Sequence, residues 1–139
     1  MSETSNAEQA LPPLRYLGVV HEGIPVRNLD AAVKFYTEVL GLKLLPRPKL
    51  PGPGAWLGDE DNTVQFHLIV TDKDYIPGSD ARMSPTGRHT AWMVRSLDDF
   101  RARMRQLGVE YQTLAGIINS DQLFVKDPEG HTWEFQEAK

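Results

Sequence analysis

The chain contains no cysteine among its 139 residues, which removes disulfides and thiolate metal ligands from consideration. No apolar run approaches the roughly 18 residues of a membrane span, so no membrane partner is expected. A basic excess is missing too. Fifteen lysines and arginines stand against 19 acidic residues, which leaves no electrostatic footprint for nucleic acid. The opening MSETSNAEQALPPL is polar and has no hydrophobic signal region, so the expected location is cytoplasmic. Residues 1–13 read as a flexible tail and 14–139 as a single domain.

What is present is a line written twice. HEGIPVRNLD from His21 and HTAWMVRSLD from His89 share five of ten letters. His21 to His89 and Val26 to Val94 are both 68 residues, whereas Gly41 to Gly108 is 67. In each copy a strand leads into a helix. Asn28 and Ser96 are the expected N-caps, the latter in a capping box with Asp99. Leu29, Ala32, Val33, Tyr36, Val39 and Leu40 recur at helical spacing, as do Leu97, Phe100, Met104 and Leu107, before a glycine stop. AWLGDEDNTVQFHLIV and QLFVKDPEGHTWEFQ then read as hairpins, turning at 58–62 and 127–130. The first copy runs from about 15 to 71, the linker from 72 to 87, and the second copy from about 88 to 138.

Strand parity sorts the polar residues. Val20, Ile24 and Val26 oppose His21; Val64, Phe66 and Leu68 oppose His67; Thr90, Trp92 and Val94 oppose His89; Trp133 and Phe135 oppose Glu134. The helices cover the apolar faces, so His21, His67, His89 and Glu134 lie on the other face of the sheets. The 67-residue offset pairs His67 with Glu134 as the 68-residue offset pairs His21 with His89. These four are the expected ligands of a divalent metal. His131, on the parity of Trp133, reads as an ordinary hydrogen-bonded residue. Trp56 and Met93 are weaker candidates for a substrate pocket. Arg47, Lys49, Arg82 and Arg88 are loop cations that read as solvated surface, with an anionic substrate as the other use.

HEGIPVRNLDAAVKFYTEVLGLKLL and QLFVKDPEGHTWEFQE resemble the two ends of a vicinal-oxygen-chelate protein, of the glyoxalase/bleomycin-resistance/extradiol-dioxygenase superfamily. The resemblance implies an α+β fold of two tandem βαβββ modules forming a curved mixed sheet around a divalent metal, often in a homodimer with the site between modules. It implies His21, His89 and Glu134 as ligands, with His67 where glyoxalase I carries a further carboxylate. Two histidines and a carboxylate suit Fe or Mn, and a third histidine favours Zn, Ni or Co. The expected activity is a glyoxalase-type lyase or isomerase on a small substrate that chelates through adjacent oxygens, with Glu134 or His67 moving the proton.

Three other family activities are weighed against the letters. Extradiol Fe(II) dioxygenases match at Leu123, Pro128, Gly130 and Glu134, but Phe124 replaces their tyrosine. Fosfomycin-type transferases share the ligand set and the DPEGHTWEF turn. Metal-free drug-binding members generally lack the ligands. Pro25 stands where glyoxalase I commonly places an arginine for its thiol cosubstrate.

Overall fold

The computed structural model describes residues 11–61, 64–71, 89–116 and 121–138. The linker at 72–87, with Arg82, and also Arg88, lies outside the described residues. Strand β1 (Glu22–Val26) leads into helix α1 (Leu29–Lys34), which continues as a π-turn over Phe35–Val39. Strands β2 (Lys43–Leu45), β3 (Gly54–Gly58) and β4 (Gln65–Val70) complete the first module. The second comprises β5 (His89–Val94), α2 (Leu97–Leu107), β6 (Tyr111–Leu114), β7 (Gln122–Lys126) and β8 (Thr132–Glu137). Each module forms a four-stranded mixed sheet, ordered β1-β4-β3-β2 and β5-β8-β7-β6, whose first strand pairs in parallel with its last. The tandem βαβββ expectation is met.

The caps fall where the sequence places them. Asn28 Oδ1 accepts from the Ala31 amide at 3.0 Å and Ser96 Oγ from the Asp99 amide at 3.1 Å. Gly41 and Gly108 both end their helices in the left-handed region, with φ of 73° and 69°, where a glycine carries no side-chain penalty. The one-residue difference between copies is taken up inside the first helix. There the closing bond runs from Leu42 N to Tyr36 O, six residues back. In the second helix it runs from Val109 N to Met104 O, five back. The π-turn is the extra residue.

One core serves both modules. Ile24, Phe66 and Leu68 from the first meet Leu97, Met104, Trp133 and Phe135 from the second. Phe66 packs on Trp92 and Trp133 with ring centres 4.9 and 5.3 Å away. At its centre Tyr36, fully buried, donates to Asp127 Oδ2 at 2.8 Å and accepts from Trp133 Nε1 at 3.0 Å. Asp127 Oδ1 accepts the Glu129 and His131 amides, shaping the β7–β8 turn. That turn docks on the first module. The Glu129 carboxylate takes the Arg27 and Asn28 amides at 2.8–2.9 Å, and His131 Nε2 meets the Pro25 carbonyl at 3.0 Å. His131 is structural, as its parity suggests.

Two expectations fail. Val20, placed by parity in the core, precedes β1 and is 78% exposed, because nothing in β4 extends far enough to pair with it. Leu107, in the last turn of α2, is 45% exposed. The core-facing stripe ends one turn earlier, at Met104.

Tyr36→Phe leaves the buried Asp127 Oδ2 without its donor and Trp133 Nε1 without its acceptor, so denaturant unfolding should show a loss of about 1–3 kcal/mol at neutral pH. Burial first, and then the neighbouring Asp127 carboxylate, holds the Tyr36 hydroxyl well above its ordinary value of 10.0. The unfolded chain therefore ionises before the folded one. Stability from this group is complete below pH 10 and declines as pH rises beyond it. Wild type should lose stability there more steeply than Tyr36→Phe. Parallel slopes would show that the hydroxyl is not held as the structure describes.

Candidate functional site

The faces turned away from the helices carry the candidate residues. On the first sheet, parity and register place Gly23 and Pro25 of β1, Gly54, Trp56 and Gly58 of β3, and Gln65, His67 and Ile69 of β4 on this face. On the second they place His89, Ala91 and Met93 of β5, Phe124 of β7, and Thr132, Glu134 and Gln136 of β8 there. His67 and Glu134 occupy corresponding positions. The neighbouring strand sets an aromatic ring opposite each, Trp56 across from His67 and Phe124 across from Glu134.

The structure brings the four expected ligands together in two pairs. In the first module the His21 and His67 rings stack with centres 4.0 Å apart, and Trp56 stacks on His67 at 4.0 Å and 1°. His67 Nε2 meets Gln65 Oε1 at 2.8 Å. Since an amide oxygen accepts, that contact leaves the imidazole lone pair on Nδ1. In the second module His89 Nε2 faces Glu134 Oε1 at 2.9 Å. Among the described residues of one chain, no three His, Asp or Glu side chains gather as a metal-binding group. A single chain does not close the trough that the sequence suggests.

Glu134 is buried, at 3% exposure, and tightly held. Its Oε2 accepts from Gln122 Nε2 at 3.0 Å and from Gln136 Nε2 at 2.7 Å, which leaves Oε1 directed at His89. Burial pushes the carboxyl upward, but the two amides and His89 together outweigh it, and the net displacement is below the ordinary 4.5. The His67 imidazole is lowered from 6.5, first by burial and then by the neighbouring His21. At neutral pH the two groups are therefore an ionised carboxylate and a neutral imidazole, the protonation states a metal ligand needs.

The donor set fits a divalent cation. Neighbouring ligands in a shell of about 2.1 Å bonds stand roughly 3 Å apart, close to the His89–Glu134 separation. The stacked histidines present parallel rather than convergent lone pairs. His21 is exposed and lies ahead of β1, so its ring is the one that has to turn.

Trp56 lies against His67 and fixes its plane. Met93 shares the site face but is 71% exposed, two ladder positions beyond Ala91, which itself sits opposite Glu134. The orienting amides Gln65, Gln122 and Gln136 were not singled out from sequence. Gln65 and Gln136 lie two residues from a candidate ligand, on the same face by alternation. Gln122 required the hairpin register.

Against known proteins, a family model described as the Glyoxalase/Bleomycin resistance protein/Dioxygenase superfamily matches residues 18–135. The chain belongs to this superfamily. It is 29% identical over 128 residues to Glyoxylase I 4 of Arabidopsis thaliana, covering 88% of this chain and 72% of the relative. It is 30% identical over 128 residues to a lactoylglutathione lyase of Haemophilus influenzae, covering 87% and 93% of the two chains. The solved structure of a glyoxalase family protein from Bacillus anthracis matches the fold with a TM-score of 0.74 at 23% identity, covering 92% of this chain and all of that one. Among the described residues no helix is long and apolar enough to cross a membrane.

In metal-free protein, Gln136→Leu removes the shorter of the two amide bonds to Glu134 Oε2 without freeing the buried carboxylate. The Glu134 carboxyl should then titrate higher than in wild type, by up to about one unit. Carbon NMR of the labelled side chain reads this directly, and an unmoved titration would remove Gln136 from the site.

Proposed function

We propose that the chain is a divalent-metal-dependent enzyme of glyoxalase type, a lyase or isomerase acting on a small substrate that chelates through adjacent oxygens. The metal is held in a homodimer, by His21 and His67 of one copy and His89 and Glu134 of a second. The observation that carries this reading is the Glu134 carboxylate, buried, ionised and clamped by two glutamine amides so that one oxygen faces His89 across 2.9 Å. A carboxylate so held is expensive to bury unless it serves as a ligand or an acceptor. Relatives that bear lactoylglutathione lyase names support the reaction type.

Two features support completion by a second copy. The histidine pair and the His–Glu pair do not come together as one metal-binding group among the described residues of a single chain. Apolar side chains are also exposed around them, namely Ile69 and Met93 on the site faces and Tyr16, Leu17, Val19 and Val20 just before His21. Closed two-fold dimers commonly bury such surfaces.

When bound, the metal polarises the substrate oxygens and stabilises the negative charge that develops on them. The protein's own groups divide the remaining work. Glu134 is the better ligand, because its amide partners hold it as a carboxylate. Glu134 has two carboxylate oxygens, so it can both hold the metal and accept and return the proton that moves between substrate carbons. Gln65 and Trp56 keep the His67 ring in place, with its Nδ1 lone pair available to the metal.

Elemental analysis of protein purified without added metal should find about one divalent metal per chain in wild type, and little in Glu134→Gln. Each of His67→Ala and Glu134→Gln should lose metal alone, whereas co-expressed chains should recover part of it, since their heterodimer holds one intact set. Wild type that stays empty after incubation with Fe(II), Mn, Co, Ni and Zn in turn overturns the enzyme reading. Loss in the single variants without recovery in the mixture overturns the shared site alone.

A further inference from the structure

The β2–β3 ladder ends at Leu45 and Trp56, and its count can be carried two residues beyond that pair. Lys43 lies opposite Gly58, Leu44 opposite Leu57 and Leu45 opposite Trp56. Two residues further on, the same register sets Arg47 opposite Gly54, on the face that carries Trp56 and His67. The side-chain positions agree. A Cβ added at Gly54 would stand 3.0 Å from Arg47 Nη2 and 3.2 Å from Cζ, besides 2.5 Å from the Leu68 carbonyl oxygen. The guanidinium therefore lies over the bare backbone of Gly54, in the space a side chain would fill.

This cation is under-used. Nη2 donates to the Gly52 carbonyl at 3.3 Å, and Nε is buried with no hydrogen-bond partner among the described residues. Arg47 makes no ion pair among the described residues. A half-buried guanidinium with no anion beside it is unfavourable in a chain of net charge −4, where acidic partners are plentiful. A loop prop would need only its carbon stem and one carbonyl bond. Its place on the sheet points to a different use. Gly54 is diagonal to His67 across the β3–β4 ladder, about 8 Å between Cα atoms, a distance that a substrate with a few carbons can bridge.

We infer that Arg47 binds an anionic group, a carboxylate, at the end of the substrate remote from its chelating oxygens. The cation sits one residue pair along the site face from Trp56 and His67, and it offers the planar fork that suits a carboxylate. The substrate class is then a small α-keto or α-hydroxy acid with a second carboxylate, rather than a neutral dicarbonyl. This rests on the metal-centred reading above and narrows its substrate.

The test compares 2-oxoglutarate with 2-oxopentanoate, which share a chelating end and differ in charge at the other. Calorimetric titration of cobalt-loaded wild type should favour 2-oxoglutarate by about tenfold or more. Arg47→Gln should bind the two alike and keep wild-type metal content and thermal unfolding, and Arg47→Lys should restore part of the preference. Equal affinities in wild type, a preference that survives in Arg47→Gln, or failure of wild type to bind either compound overturns the inference. If the chain takes up no metal, the function reading fails separately. Glutarate and pentanoate titrated into metal-free protein by tryptophan fluorescence then decide Arg47 on the same criterion of charge preference.

Discussion

A buried tyrosine hydroxyl ties the two halves of this molecule together. Tyr36 reaches from the first module into the second, accepting from Trp133 and donating to Asp127. Asp127 spends its other oxygen on the amides of its own turn. The turn, so shaped, returns Glu129 to the start of the first helix and His131 to the Pro25 carbonyl. The chain of bonds leaves one module, crosses to the other and comes back. Each contact presupposes the one before it, and groups in such closed networks strengthen each other.

Holding the helix-side faces together in this way decides where everything else points. The residues alternating with Phe66, Leu68, Trp133 and Phe135 must face outward. Those residues are the glutamines, the histidines, Trp56 and Glu134. Among the described residues, one chain thus carries two separate polar pairs. Their electrostatics differ. One is built of stacked imidazoles against Trp56, and the other of an ionised carboxylate gripped by amides. Neither is complete as a coordination sphere, and together they supply three nitrogens and an oxygen.

Much of this was legible from the letters. Duplication announced the two modules, and alternation of two put His67 opposite in sense to Phe66 and Glu134 opposite to Trp133, as found. Asn28, Ser96, Gly41 and Gly108 marked the helix ends correctly, because caps act through bonds within a few residues. What was not legible depends on how distant parts meet. Val20 shares the parity of the core but lies beyond the end of its neighbouring strand. Whether the four candidate ligands meet within one chain depends on which faces the modules turn to each other, and that is set by Tyr36, Phe66 and Trp133 rather than by any motif. The amide clamp on Glu134 combined a neighbour at i+2 with a residue twelve positions earlier, and only the hairpin register links the latter.

The π-turn at Phe35–Val39 shows where this architecture forgives a change of length. One added residue in a helix swells a single turn, and the glycine at its end still delivers the chain to the next strand in phase. The same addition within β4 or β8 would exchange inward and outward side chains from that point on, carrying His67 or Glu134 into the oily interior. Insertions and deletions in the descendants of such a duplicated gene should therefore accumulate in helices and turns. The strands would keep a strict count, because alternation there determines whether the candidate ligands lie on the site face or in the core.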